Sequence, residues 1–160
     1  MRFTLIDRIT SLEPGKSITA MKNLSLAEEY LGDHFPGFPV MPGVLMIEAM
    51  VQTGSWLMRL HEDFAYSMVL LKGARAVKFA NFVSPGHTLQ ITMEMQGWND
   101  SECLLKGTGT VDGKQAVSAK LTLVRFNLAE QNPTLKSTDV SLVKQARVLF
   151  SQLWPGPVAV

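Results

Sequence analysis

The sequence predicts a single α+β domain in which an antiparallel sheet packs against one long, buried helix. Three observations support this class. Residues 43–60 lack proline, are rich in Leu, Met and Ala, and leave almost no polar face, which is typical of a buried helix. Four runs of β character follow between residues 67 and 126, and a hairpin precedes the helix. A chain of 160 residues is long enough to bury one core.

The predicted strands are separated by recognisable turns. Residues 2–9 and 17–23 form the first hairpin, whose turn contains Pro14 and Gly15. The later strands alternate apolar and polar residues, with a bulge expected near Gly73. These strands are predicted at 67–79, 88–98, 102–111 and 114–126, with Asp112-Gly113 as the tight turn between the last two.

A short helix is predicted between the first hairpin and the long helix. Ser25 followed by Glu28 fits a capping box, in which each residue satisfies a backbone amide of the first turn. This pattern predicts a helix over residues 26–30.

Composition excludes several classes of protein. A net charge of +1 argues against a nucleic-acid partner, which requires a basic surface. One cysteine, Cys103, excludes an internal disulfide, suits a reducing compartment and is expected to be a small core residue. The N-terminus lacks the apolar core of a signal peptide, and Glu48, Gln52 and Gly54 interrupt the longest apolar stretch. We therefore expect a cytoplasmic protein without a membrane span.

The segment before the long helix is predicted to be a stiff loop. Pro36, Pro39 and Pro42 are spaced by three, and Gly37 lies between the first two. Proline restricts φ and disfavours helix in the residue before it, so the loop cannot be helical. His34 is thereby held close to the helix start.

The helix itself carries candidate chemistry. Glu48 lies on its apolar surface with Gln52 one turn later on the same side. A buried carboxylate must be paired, hydrogen-bonded or protonated, so Glu48 is either a structural group or the acid partner of His34. The first amides of the helix, at Gly43, offer hydrogen bonds to a developing negative charge on oxygen.

The stretch HFPGFPVMPGVLMIEAMVQ resembles the signature of the (3R)-hydroxyacyl-[acyl carrier protein] dehydratases of fatty-acid synthesis. A match of this length is specific. The resemblance implies a hot-dog fold, in which a curved antiparallel sheet wraps around a long central helix. It also implies conversion of a (3R)-hydroxyacyl thioester to a trans-2-enoyl thioester. The matching positions are His34, Phe35, Pro36, Gly37, Pro39, Pro42, Gly43, Val44, Leu45, Glu48, Ala49 and Gln52.

The same resemblance implies the roles of individual residues. His34 would be the catalytic base and Glu48 the acid. No metal or redox cofactor is needed, and the substrate would arrive on the phosphopantetheine of an acyl carrier protein. A homodimer, or a trimer of such dimers, would place His34 of one subunit opposite Glu48 of the other. The expected substrate-binding positions are Phe35, Pro42, Gly43, Val44 and Gln52.

Three positions depart from the family pattern, namely Asp33, Asn81 and His87. Two alternatives are open. The first is a hot-dog thioesterase that hydrolyses the thioester, and it is open independently of these positions because it would not need the His34 loop. The second is a non-catalytic acyl-binding homologue, which follows if the three departures disable the site.

The C-terminal part extends beyond the resemblance. We expect a hot-dog domain over residues 1–128, then a polar linker and an amphipathic helix within 129–160 packed on it. Asp139 would cap the helix, which would end at Trp154 before Pro155. We expect it to dock on the outer face of the sheet rather than at the rim of the acyl tunnel. Its apolar stripe contains Leu142, Val143, Ala146, Leu149, Phe150 and Leu153.

Overall fold

The computed structural model describes residues 3–156. Within these residues, six strands form one antiparallel sheet in the order β1-β2-β4-β5-β6-β3, so β1 and β3 are its edges. Short 3₁₀ helices lie at Glu29–Gly32, Leu128–Glu130 and Pro133–Leu135. The main elements are β1 (Arg8–Glu13), β2 (Ser17–Asn23), α1 (Gly43–His61), β3 (Met68–Phe79), β4 (Thr88–Trp98), β5 (Glu102–Val111), β6 (Lys114–Phe126) and α2 (Lys136–Leu153).

Helix α1 lies against the sheet and contacts β2 to β6. Small residues allow this close approach. A Cβ built on Gly54 of α1 would lie 2.6 Å from Leu105 Cδ1, and one on Gly107 would lie 2.7 Å from Met93 Sδ. The side chains of Leu105 and Met93 are fully buried at this contact. Gly54 therefore leaves room for the Leu105 side chain of β5, and this contact sets how closely α1 packs on the sheet.

Most predicted elements are confirmed. The long helix and the strands at 17–23, 88–98, 102–111 and 114–126 lie within one residue of their expected bounds. The bulge near Gly73 appears as a register shift between β3 and β6. Asp112 and Gly113 have φ values of 51° and 75°, as a type I′ turn requires.

The prediction that residues 2–9 form the first strand is wrong, because β1 begins at Arg8. Met1 and Arg2 lie outside the described residues. The segment before β1 is instead bonded to α1. Gln52 Oε1 accepts from the Leu5 N–H at 2.8 Å, and Gln52 Nε2 donates to the Phe3 carbonyl at 3.1 Å. These bonds satisfy the backbone groups that a strand would have given to the sheet.

The predicted capping box at Ser25 is also wrong. Ser25 Oγ accepts from the Ala27 N–H at 3.0 Å, and the only helix here is the 3₁₀ turn Glu29–Gly32. The Glu28 carboxylate accepts from Lys22 Nζ at 2.5 Å. Lys22 is 5% exposed, and burying its ammonium without a charged partner would cost more free energy than a helix cap would contribute. Glu28 therefore pairs with Lys22 instead of capping a helix.

Asp139 does not cap α2, because that helix begins three residues earlier at Lys136. Its carboxylate accepts from the backbone N–H groups of Leu128 and Ala129, each at 2.9 Å, and from the Ser67 hydroxyl. Burial tends to raise the pKa of Asp139, but the hydroxyl and the two amides lower it, and the net pKa is below its usual value. Asp139 therefore ties α2 to the ends of β3 and β6.

Asp139→Asn should reduce the free energy of unfolding at neutral pH, because an amide cannot accept from all three donors. A lowered pKa in the folded state gives a stabilisation that is present above the unfolded-state pKa and lost as the pH falls through the folded-state value. Denaturant titrations at about pH 7 and about pH 3 should show a smaller difference from wild type in acid. Asp100→Asn, an exposed control, should show little change. An equal deficit at both pH values would contradict the carboxylate's role.

The expectation that α2 docks on the outer face of the sheet is wrong. The Phe150 ring packs on Trp56 of α1 at 6.0 Å and on Phe64 at 5.8 Å between ring centroids. Phe150 and Leu153 are each 5% exposed. Helix α2 therefore covers the part of α1 that the sheet leaves open, because aromatic residues there offer apolar surface to bury.

Cys103 is fully buried in β5, which confirms its prediction as a core residue. Burial, with a smaller contribution from Glu62, raises the pKa of the Cys103 thiol to about 12. Of the helices within residues 3–156, none is long and apolar enough to cross a membrane.

Candidate active site

The loop that carries His34 is closed by its own backbone. The Val40 N–H donates to the His34 carbonyl at 3.0 Å, and Phe35 and Phe38 exchange two hydrogen bonds at 3.1 and 2.9 Å. Gly37 has φ of +80°, at the third position of the turn and directly after proline. A type II turn needs a positive φ at its third position, which favours glycine, and proline is common at its second. The loop thus has the non-helical structure that the proline spacing predicts.

The ring of His34 is oriented by the far end of the same loop. His34 Nδ1 lies 2.9 Å from the Val40 carbonyl oxygen. A carbonyl only accepts, so Nδ1 carries the hydrogen, and in the neutral ring Nε2 holds the lone pair. The ring also stacks on Phe35 with centroids 4.0 Å apart. His34 is therefore held in the tautomer that can accept a proton at Nε2.

The start of α1 lies beside this loop. The Leu45 N–H donates to the Pro42 carbonyl at 2.9 Å, which leaves the amides of Gly43 and Val44 ahead of the first intrahelical bonds. Gly43 packs closely against β3, since a Cβ there would lie 2.9 Å from the Phe79 ring. The helix start thus offers free amides and a positive dipole end.

His34 and the helix start line one cleft of about 490 Å³. This cleft gathers four of the site residues expected from the sequence, His34, Phe35, Gly43 and Val44. A fifth, Pro42, caps α1 behind it. The remaining lining residues are Met41, Met46, Phe79, Ala80, Asn81 and Phe82.

Glu48 and Gln52 line a different cleft, of about 650 Å³. Gln52 Nε2 donates to Glu48 Oε1 at 3.0 Å, which confirms that the two residues share one side of the helix. Glu48 is only half-buried, contrary to the expectation of a fully buried helix. The His34 cleft does not include Glu48, so a single chain places the expected catalytic pair in separate clefts.

The three departures from the family pattern lie in different places. Asn81 lines the His34 cleft, and its Nδ2 donates to the Gln115 carbonyl at 2.9 Å. His87 lies outside that lining, in a turn where Nε2 is 3.5 Å from Asp112 Oδ2. Asp33 is exposed at the end of the 3₁₀ turn. Of these three residues, Asn81 alone lines the His34 cleft. Within residues 3–156, no three His, Cys, Asp or Glu side chains are grouped to hold a metal ion.

Two aromatic residues of the cleft were not predicted from the sequence. Phe79 and Phe82 are 54% and 65% exposed, and Phe38 meets Phe82 edge to face at 5.5 Å. The available signal was the aromatic pair at the end of an edge strand, where no core requires it.

A six-stranded antiparallel sheet around a long helix, with a histidine loop at the helix start, defines a hot-dog domain. The dehydratase heterocomplex ApeI:P from Xenorhabdus doucetiae is similar in structure, with a TM-score of 0.69 and 19% identity over 84% of this chain and 90% of that chain. A mutant of thioesterase PA1618 from Pseudomonas aeruginosa has a TM-score of 0.59 and 16% identity over 74% and 81%. At such identities the likeness concerns the fold alone, and it confirms the predicted hot-dog fold.

Sequence comparison identifies the family. Residues 1–120 match the FabA-like domain. The 3-hydroxyacyl-[acyl-carrier-protein] dehydratase FabZ of Latilactobacillus sakei is 40% identical over 120 residues, which cover 75% of this chain and 86% of the relative. The FabZ of Clostridium botulinum strain Okra is 39% identical over 122 residues, with 76% and 85% covered. The chain belongs to the FabA-like dehydratase family, which confirms the resemblance. Helix α2 lies beyond the matched residues.

Proposed function

We propose that this protein dehydrates a (3R)-hydroxyacyl-[acyl carrier protein] to a trans-2-enoyl-[acyl carrier protein] in fatty-acid biosynthesis. The observation that carries the proposal is the His34 ring. Its Nδ1 is bonded to the Val40 carbonyl at 2.9 Å, and Nε2 is therefore free to accept a proton beside the start of α1. The family membership of the chain supports the same reaction.

The reaction requires three contributions from the chain. His34 Nε2 takes the α-proton, and the electrons of that C–H bond form the new double bond. The amides of Gly43 and Val44 hold the thioester oxygen as negative charge builds on it. Protonated Glu48 gives its proton to the departing hydroxyl group, and water leaves as the C–O bond breaks. His34 ends protonated and Glu48 ionised, so returning one proton through solvent resets the pair.

We propose that a second copy of the chain completes the site. His34 and Glu48 line separate clefts in one chain, so a homodimer that faces one cleft with the other would bring base and acid together. The free edge of β3 supports this arrangement. Its unpaired backbone can add a strand of a second sheet. Apolar side chains exposed along it would be covered by such pairing, namely Leu70, Leu71, Val77 and Phe79.

The other site residues have roles in binding under this proposal. Phe35 and Val44, which are 50% and 73% exposed, give the His34 cleft an apolar wall for the thioester arm of the carrier. Pro42 positions the helix start, and Gln52 orients the Glu48 carboxylate through its 3.0 Å hydrogen bond. The substrate would arrive on the phosphopantetheine of an acyl carrier protein in the cytoplasm.

The product of the reaction tests the proposal. The purified protein is incubated with a 3-hydroxyacyl-[acyl carrier protein], and enoyl thioester is followed by ultraviolet absorbance and by mass spectrometry, with a thiol reagent in parallel. We expect loss of one water without release of thiol. Release of free thiol would instead identify a thioesterase, and neither product would identify a non-catalytic acyl-binding protein.

A further inference from the structure

The cleft that contains Glu48 has a second wall that does not come from the hot-dog domain. On one side lie Glu48, Ser55 and Trp56 of α1, and on the other lies α2. The cleft has a volume of about 650 Å³, and most of its surface is apolar, as in many ligand sites. Polar side chains also line it, among them Glu48, Arg59 and Lys144. Because α2 follows the residues that match the family, this wall belongs to the extension of the chain.

One apolar stripe of helix α2 both holds the helix on the domain and lines the cleft. Phe150 and Leu153 are buried and hold the helix on the domain. Leu142 and Leu149, seven residues apart, recur on one side of the helix, are half-buried and line the cleft. Ala146, between them, is the smallest side chain of the α2 wall. The residues that anchor α2 and those that line the cleft thus belong to one apolar stripe of the helix.

The contacts of α2 with the domain show how this wall lies relative to α1. Asp139 near its start bonds Ser67, Arg147 bonds Asp63, and Phe150 packs on Trp56. The start of α2 thus lies beside the segment that follows α1, and its last turns lie beside Trp56 and Phe64, so the helix packs along the C-terminal half of α1. An acyl chain that leaves Glu48 along α1 would lie between the two helices.

We propose that this cleft holds the acyl chain of the substrate, and that Leu142, Ala146 and Leu149 of α2 set the acyl length that the protein accepts. This inference rests on the proposed dehydration at His34 and Glu48. In the proposed dimer, the acyl chain extends into the subunit that supplies Glu48. An apolar wall discriminates by the number of methylene groups that it can cover, and each group changes the preference by about tenfold or more.

The test compares the ratio of kcat/KM for a long and a short 3-hydroxyacyl-[acyl carrier protein], of about twelve and about four carbons. Leu149→Ala widens the cleft and should raise the long-to-short ratio about tenfold. Ala146→Phe fills it and should lower the ratio by about tenfold or more. Val140→Ala is the matched control, because Val140 is on the same helix, 65% exposed and outside the lining of the cleft. Its ratio should equal that of wild type.

Each outcome decides the inference. Ratios equal to wild type for both cleft variants, in proteins that melt cooperatively, would show that α2 is only a stabilising element. Should Ala146→Phe fail to fold, Leu149→Ala decides alone. Dehydration of the short substrate by wild type reports separately on the proposed function. If wild type does not dehydrate the short substrate, the dehydratase proposal itself is wrong. That result is distinct from an unchanged ratio.

Discussion

His34→Ala should lower the rate of dehydration by about 10²–10⁴-fold or more while the fold remains intact. Among the described residues that line the His34 cleft, His34 alone has a side chain that can take the α-proton, and the substitution removes it. The backbone hydrogen bonds that close the loop remain when the ring and its bond to the Val40 carbonyl are removed. Steady-state rates with a 3-hydroxyacyl-[acyl carrier protein], beside circular dichroism, provide the measurement.

The matched control is His61→Ala. His61 is exposed and packs edge to face on Trp98 at 4.8 Å, away from both clefts. Its rate should stay close to wild type. Near-normal turnover by His34→Ala would show that His34 is not the base.

Glu48→Gln should be similarly inactive, and it allows the shared site to be tested. Mixing the His34→Ala and Glu48→Gln proteins should restore up to about a quarter of the sites if dimers exchange at random, because each mixed dimer contains one intact site. Glu94 is an exposed carboxylate on β4, and Glu94→Gln is the matched control for Glu48→Gln. Absence of recovery after verified subunit exchange would place both groups within one chain.

Phe150→Ala should lower the free energy of unfolding by about 3–5 kcal/mol, the usual cost of truncating a buried phenylalanine. Its ring is 5% exposed and contacts Trp56 and Phe64, so truncation leaves a cavity between α2 and the domain. Denaturant unfolding followed by tryptophan fluorescence measures the loss, because Trp56 lies at the contact.

A valine of the same helix provides the control for this prediction. Val148 is 53% exposed, and Val148→Ala should change the free energy of unfolding by less than about 0.5 kcal/mol. Equal, small effects of both substitutions would mean that α2 contributes nothing to global stability.

The elements that the sequence predicted well depend on local chemistry. The loop before α1 follows from its proline spacing, and Gly37 has the positive φ that a type II turn needs. Helix α1 and the strands from β4 to β6 follow from their apolar periods, which the sheet then satisfies. His34 and Glu48 were found because rare residue types stood in an otherwise apolar stretch.

The errors occur where a distant partner outweighs a local preference. Residues before Arg8 were expected in the sheet, but Gln52 bonds their backbone from 47 residues away. Asp139 looked like a helix cap, yet its carboxylate bonds Ser67, 72 residues earlier in the chain. Such pairs have no signature in a local window, because they are selected only when the core brings the segments together.

The sequence alone determined the loop, the long helix, the antiparallel strands and the identity of a histidine and a carboxylate as candidate groups. Tertiary structure decided where those groups lie. It placed His34 and Glu48 in separate clefts, and it laid α2 along α1 rather than on the outer sheet. The physical reason is that an amphipathic stripe specifies only that a face must be buried. The complementary surface, here Trp56 and Phe64, exists only once the chain has folded.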